Sequence, residues 1–546
     1  MTWQQTEASR HLLEEERGTV YKDWGGRLPI ALVFPNSYYL GMSSLAVHTL
    51  YRLWNARDDI ACERVFTDSV EPDPGMPLSM ESSAPLDYFP VLAFSVTYEM
   101  DYFNVVGLLR AGGIPLRAQD RDETHPLVIA GGPAVSANPE PLAPLLDAVL
   151  IGEIEPRFSE VTTALRRIYD GREAALQALS QVPGVYLPHR EAATAPDARI
   201  VRQWLADLDS CPTHSAILTQ NTEFSNMGLI EIARGCGRGC RFCLAGYGYR
   251  PPRERSLESI LEQASALLSD TNRIGLVSAA VSDHSHINEL AVQLRQLGAE
   301  LSVSSMRVDP PAEALIQALA ESGTRTLTIA PEAGSDRLRQ AINKTQTEDD
   351  VLRAVDLAAH YGFAQVKLYF MIGLPTESED DIQALVELAM ACAERFPGRV
   401  TANVTPFVPK AGTPFQRVAQ TRAKTVKRRL DYVDKTLRRE SIAVKSESPA
   451  WAEIQGTLAR GDRRVAEALI TVERVSPGNW KKALAQAGLQ LQDLLGERPA
   501  GEPLPWDFIQ SGIREAYLAR EARRAKTPRT TGPCQPEECA ACGVCA

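Results

Sequence analysis

Residues 230–256, IEIARGCGRGCRFCLAGYGYRPPRERS, place Cys236, Cys240 and Cys243 at spacings of four and three, directly after an apolar strand. Three thiolates from one loop cannot close a tetrahedral zinc site, and no histidine lies nearby to complete one. They suit a cubane iron–sulfur cluster with one iron left open, because full ligation takes four cysteines. An open iron is what a cluster needs if it is to bind a substrate or cofactor directly. Gly235, Gly237 and Gly239 let the loop wrap closely around a bulky inorganic core. Arg234, Arg238 and Arg241 are candidates to offset its negative charge. The bland reading is a zinc knuckle or chance spacing.

Outward from this loop, strands and helices alternate. GLIEIAR, IGLVSAAV, LSVSSMRV, TRTLTIA, AQVKLYFMIGL and RVTANVTPF are six apolar, β-branched strand candidates separated by helical segments such as LESILEQASALLSD. Six βα units over about 190 residues predict a partial (βα)6 barrel rather than a closed eightfold one. Upstream, LPIALVF (28–34), VLAFSV (91–96), LVIA (127–130) and residues 148–151 predict four strands between helices. Such alternation means a parallel sheet covered on both faces.

The chain is therefore expected to be α/β. A doubly wound Rossmann-like domain over 25–155 carries its ligand crevice at the carboxyl ends of the strands. A partly structured linker (156–225), the barrel core (226–416), a helical region without further strands (417–530) and a Pro/Gly-rich tail (531–546) follow.

Composition narrows the function classes. With 546 residues, two to four domains are expected, and 44% hydrophobic with 23% charged residues reads as a globular protein. No apolar run approaches the roughly 20 residues of a membrane span. The polar, acidic N-terminus is not a secretory signal, so the cytoplasm is the expected compartment. A net charge of -11 argues against coating nucleic acid along the whole chain. Residues 417–530 carry about 23 Lys and Arg against about 14 Asp and Glu. That surplus leaves contact with an acidic substrate open, although solvated faces of Arg-rich helices are the plainer reading.

Seven of the ten cysteines fall into two tight groups, which points to metal. The second group, Cys534, Cys539, Cys542 and Cys545, supplies four thiolates for either another iron–sulfur cluster or an all-cysteine zinc site. So little apolar sequence surrounds them that a metal has to order the tail. The helices before it are able to fold it back against the barrel mouth.

Cys-x3-Cys-x2-Cys with Phe242 before the third cysteine resembles the signature of the radical S-adenosylmethionine (SAM) superfamily. The resemblance implies a 4Fe–4S cluster on Cys236, Cys240 and Cys243, with SAM chelating its open iron. It also implies reductive cleavage of SAM to a 5′-deoxyadenosyl radical, fed by a reductant such as flavodoxin or ferredoxin. IAPEAGSDRLRQAINKTQTEDDVLRA and VKLYFMIGLPTESEDDI resemble the branch that includes the methylthiotransferases and cobalamin-linked enzymes. By that likeness Glu332, Gly373 and Pro375 contact SAM. The family's Gly-Gly-Glu segment at the second strand is absent, which leaves Ser278, Ser282 and Asp283 as candidates to bind the amine. Ser304 and Arg307 are candidates for the ribose or carboxylate. Strand-end capping is the bland alternative for each.

LVIAGGPAVSANPEPLAPLLDAVLIGEIE (127–155) resembles the end of the cobalamin-binding domain that precedes many such cores. It implies contacts from Gly41, Ser95, Thr97, Gly131, Gly132 and Gly152. The Asp-x-His-x-x-Gly motif that supplies a cobalt ligand is missing, and His48 lies deeper in the following helix, so cobalamin is expected without a histidine lower ligand. WAEIQGTLARGDRRVAEALI resembles the C-terminal module of a bacterial group of cobalamin-type radical SAM proteins. The expected function is cobalamin-dependent methyl transfer to an unactivated carbon. RNA or protein modification such as methylthio transfer is the alternative, and a non-catalytic iron–sulfur scaffold is the reading of another class.

Overall fold

The computed structural model describes residues 3–69, 75–190, 199–536, 538–539 and 541–545. The first sheet contains β1 (Leu28–Val33), β2 (Ile60–Val65), β3 (Val91–Ser95), β4 (Leu127–Gly131), β5 (Ala148–Leu150) and β6 (Val185–Tyr186). Their order is β2-β1-β3-β4-β5-β6, parallel except for β6. Every residue of β1, β2 and β3 is buried, as in a sheet covered on both faces. The strand order reverses between β1 and β3, and ligands of open α/β sheets bind in the crevice outside such a switch point.

Four of these strands match the sequence expectation, and β2 and β6 are additions. The β2 run is broken by Glu63 and Arg64, both buried. Arg64 pairs with Glu16 and Glu81, each at 2.7 Å. Glu63 accepts bonds from Trp24, Ser79 and Ser82. A buried strand tolerates charges that are paired in this way. The stretch read as a partly structured linker carries regular elements. Helices Phe158–Arg166 and Arg172–Leu179 place Val161, Leu165, Ala175 and Leu179 in the core beneath β1, and β6 extends the sheet.

The second unit contains β7 (Gly228–Glu231), β8 (Arg273–Val277), β9 (Glu300–Val303), β10 (Thr326–Glu332), β11 (Gln365–Ile372), β12 (Arg399–Pro406) and β13 (Ala443–Ser446). They form two parallel runs, β9-β8-β7 and β10-β11-β12-β13, linked by a bridge between Met306 and Ile329. Six strands match expectation. The seventh, β13, corrects the reading of 417–530 as strand-free: AVKS is short, mostly exposed and on an edge, so it carries no apolar signal. Among the described residues the barrel stays open. Residues 213–215 cover the outer edge of β7, where Ser215 N–H donates to Leu229 O at 2.9 Å.

Strands β10 and β11 alternate in burial. Leu327, Ile329, Val366, Leu368, Phe370 and Ile372 pack into the core with the surrounding helices. The pleat therefore turns Thr328, Lys367 and Tyr369 toward the barrel interior.

The C-terminal helices clamp the two sheets together. Ala423–Arg439 adds Val426, Leu430, Val433 and Leu437 to the barrel core. Pro449–Arg460, Val465–Thr471 and Pro477–Gln486 pack instead on the first sheet, where Trp480 meets Phe103 edge-on at 5.1 Å between ring centroids. Several of the region's arginines are spent in ion pairs, such as Arg463 with Glu140 and Arg429 with Glu377. Among the described residues, no helix is long and apolar enough to cross a membrane.

Candidate active site

Beyond β7 the chain forms a short hairpin, with residues 233–234 antiparallel to 253–254, and the three cysteines lie in its loop. Gly235 (φ +80°) and Gly239 (φ +69°) take left-handed backbone. A Cβ on Gly235 would lie 2.5 Å from Tyr249 O, so only glycine fits that turn. Burial pushes the Cys243 thiol up to about 12 and raises that of Cys236. Amides of Gly246 and Ala245 aimed at the Cys243 sulfur oppose that rise. Among the described residues no three His, Cys, Asp or Glu side chains converge to hold one metal ion. A cubane needs no such convergence, because its thiolates go to separate irons.

The loop arginines require a correction. Arg234 pairs with Glu231 and Glu153 at 2.8 Å and Glu155 at 2.9 Å. Arg238 makes two 2.8 Å bonds to Asp283. Arg241, fully buried, reaches Glu521 at 3.1 Å and the carbonyls of Ala341 and Arg529. Their charge is already neutralised, and they fix the loop to its surroundings instead of balancing a cluster. Glu153 is the chief anchor on the first sheet. Besides Arg234 it takes Arg253 through both oxygens, at 2.8 and 3.0 Å. The sequence showed Glu153 only as the residue after Gly152.

The expected SAM contacts separate into groups. Ser282, Asp283 and Arg307 come together beside the loop: Ser282 Oγ accepts the Arg307 N–H at 3.0 Å, and Arg307 Nε lies 3.9 Å from Asp283. The Nε and Nη2 of Arg307 are buried without a hydrogen-bond partner, and its charge is felt at Cys236. Unused guanidinium donors beside the cysteine loop fit a carboxylate ligand. Ser278 lines a cavity described below, and Ser304 is exposed at the end of β9. Glu332, in left-handed backbone (φ +67°) at a bulge in β10, is paired with Lys344 at 3.3 Å. Gly373 donates its N–H to both oxygens of Glu377 at 2.9 and 3.0 Å and accepts from Thr421 at 3.0 Å. Its N–H is thus used within the turn that also holds Pro375, and its carbonyl is taken by Thr421 from outside it.

A cavity of about 520 Å³ separates the carboxyl ends of the first sheet from the cysteine loop. Ser95, Gly131, Gly132 and Gly152 form part of one wall, and Gly235, Tyr247, Tyr249 and Ser278 part of the other. Thr97 and Gly41 are not on it, and a Cβ on Gly41 would lie 2.2 Å from the Phe66 ring. The glycines differ in purpose. Gly132 (φ +117°) and Gly152 (φ +106°) are demanded by their backbones, where a Cβ would meet Val96 O at 2.4 Å and Gln203 O at 2.1 Å. A Cβ on Gly131 would meet nothing nearer than Leu150 Cβ at 4.0 Å. Two lining groups, Thr49 Oγ1 and Arg202 Nη1, are buried and unpartnered. His48 is fully occupied elsewhere: Nε2 bonds Met42 O at 2.9 Å and Nδ1 accepts from Ala216 N at 3.2 Å. No histidine is among the described residues that line the cavity.

The cysteine tail lies directly on the loop. Cys534 donates its N–H to Gly237 O at 2.6 Å. Asn343 staples the two segments. Its Nδ2 donates to the carbonyls of Arg238, Gly239 and Thr531 at 3.0, 3.1 and 3.2 Å, and its Oδ1 accepts the Thr531 N–H at 2.7 Å.

An open run of parallel βα units with three cysteines after its first strand defines a class of proteins, and two family models match here. They are "Radical SAM proteins, N-terminal" over residues 46–188 and "Radical SAM superfamily" over residues 230–389. The chain belongs to the radical SAM superfamily. An uncharacterized protein of Methanocaldococcus jannaschii is 32% identical over 445 residues, covering 81% of this chain and 90% of that one. An uncharacterized methyltransferase of Pyrococcus horikoshii is 26% identical over 283 residues, 48% of this chain and 57% of that one. The ribosomal protein uS12 methylthiotransferase RimO of Thermotoga petrophila is 23% identical over 169 residues, 29% of this chain and 39% of that one. The chain thus spans less than two thirds of the latter two. Among solved structures, the cobalamin-dependent SAM radical enzyme OxsB with aqua-cobalamin bound gives a TM-score of 0.47 at 14% identity, covering 67% of this chain and 52% of that one.

Proposed function

We propose that this chain cleaves SAM at the Cys236–Cys240–Cys243 loop and uses cobalamin, held at the carboxyl edge of the first sheet, to methylate an unactivated carbon. The observation that carries this reading is a cavity lined both by that edge and by Gly235, Leu244 and Ala245, which flank the loop cysteines. When bound, cluster and SAM supply a hydrogen-abstracting radical and cobalamin a methyl carrier. Gly131 offers an open backbone face to a flat ring, while Thr49 and Arg202 offer unused donors to its polar periphery. Arg307 and Asp283 would hold the carboxylate and amine of SAM beside Cys236. The name of the Pyrococcus relative favours methyl transfer.

The full chain, isolated anaerobically with hydroxocobalamin, should retain about one cobalt per chain. With no histidine among the described residues that line the cavity, electron paramagnetic resonance (EPR) of the Co(II) form should show no nitrogen superhyperfine splitting. Failure to keep cobalamin at stoichiometric levels would remove the methyl-transfer reading and leave SAM cleavage standing. A second reading, methylthio transfer, rests on the RimO relatives, and a product gaining sulfur with the methyl group would favour it.

A further inference from the structure

Four cysteines play no part in that reading, yet the fold sets them against the site. We propose that Cys534, Cys539, Cys542 and Cys545 bind a second 4Fe–4S cluster and that it is the port through which electrons reach the loop cluster. The proposal rests on the radical SAM assignment of the loop.

All four thiols are free; Cys534 donates its N–H to Gly237 O and Cys542 O accepts the Arg514 N–H at 2.9 Å, so both ends of the group are fixed against the rest of the chain. A set of four thiolates closes a cubane completely, so this site has no open iron for SAM and suits electron transfer. Cys542 is buried in a small apolar cluster with Tyr247, Tyr517 and Leu518, and Tyr247 belongs to the helix that follows Cys243. The Cys534–Gly237 bond, one residue from Cys236, keeps the Cα atoms of Cys236 and Cys534 within about 11 Å of each other. That spacing allows direct electron transfer between the two sites.

Arg250 bridges them. It stacks over Tyr247 and Tyr517 at 4.6 and 5.4 Å, donates to Tyr517 Oη at 3.3 Å, and lies 3.3 Å from where a Cβ on Gly239 would stand. Its buried charge offsets the tail thiolates, the service that the paired loop arginines cannot give.

The outer side fits a donor. Cys545 is exposed, and Arg523, Lys526 and Arg529 on the preceding segment are exposed as well. This surplus of exposed basic side chains on the segment that leads into the four cysteines favours an acidic one-electron carrier of the flavodoxin or ferredoxin class. One electron leaves the carrier, enters the tail site and passes to the loop site. The carrier ends oxidised by one electron, the tail returns to its starting state, and the loop is reduced by one.

The test uses the full chain reconstituted anaerobically, beside Cys539→Ser and Cys545→Ser variants. Iron, sulfide and zinc are counted, and SAM cleavage is driven by dithionite or by a reduced flavodoxin. Wild type should hold about eight irons and each variant about four, from the content of one cubane. The ratio of flavodoxin-driven to dithionite-driven cleavage should fall at least tenfold in both variants. Loss of one zinc with no iron, or unchanged iron, overturns the second cluster. An unchanged ratio overturns the port. If wild type fails to cleave SAM even with dithionite, the loop reading fails and the port with it, while the iron count alone still decides whether the tail holds a cluster.

Discussion

The loop cysteines and the tail cysteines are held by different means. The loop stands on a parallel strand, turns through two left-handed glycines and is tied down by ion pairs to the first sheet, to Asp283 and to Glu521. Among its described residues the tail has no strand or long helix of its own, and it borrows its position from Asn343 and Gly237. A frame that exists before metal arrives can present three ligands and keep the fourth corner open. A borrowed position suits a closed four-cysteine set, where metal completes the fold.

The sharpest break in this comparison is Cys240→Ala, which should reduce 5′-deoxyadenosine formation to background while the chain stays folded by circular dichroism. The corresponding tail variants should lose iron but not this reaction entirely. Next is Glu153→Ala, which strips the buried carboxylate from Arg234 and Arg253. Breaking a buried pair from one side costs about 3–5 kcal/mol. Denaturant titration should show that loss, whereas the tail, which Glu153 does not touch, should keep its iron.

Acid offers a third contrast. His48 is buried and neutral, its ionisation lowered from 6.5 to about 4 by burial. A depressed value for a base means its stabilising share is complete above pH 6.5. That share is lost as pH falls through 4, about 3 kcal/mol in all. Stability measured from pH 7 to 4 should fall accordingly, and His48→Gln should flatten that part of the curve. The smallest effect is expected for Asn343→Ala. Unsatisfied partners cost about 1–3 kcal/mol, and hydrogen exchange should rise in residues 529–536 while β7 stays protected.

Much of this was legible in the sequence. Apolar β-branched runs marked ten strands, and the cysteine spacing marked the loop. What escaped were segments whose signal depends on distant partners. Strand β2 hides behind Glu63 and Arg64, whose partners are Glu16, Glu81, Ser79 and Ser82. Asn343 is one polar residue among many until Thr531, 188 positions away, meets it. Gly131 and Gly132 read alike as letters, yet only Gly132 needs positive φ. Sequence cannot tell an open glycine from one forced by a carbonyl at 2.4 Å.

The shared cavity is the centre of the functional account, and spin coupling tests it most directly. In the full chain loaded with cobalamin, EPR is recorded on the Co(II) form before and after the iron–sulfur centres are reduced. If cobalt sits in the cavity between Gly131 and Gly235, reduction should broaden or split the Co(II) signal, and Cys240→Ala in a chain that also carries Cys539→Ser should abolish that change. A Co(II) spectrum indifferent to cluster reduction would contradict the account, because cobalamin would then be bound away from the loop.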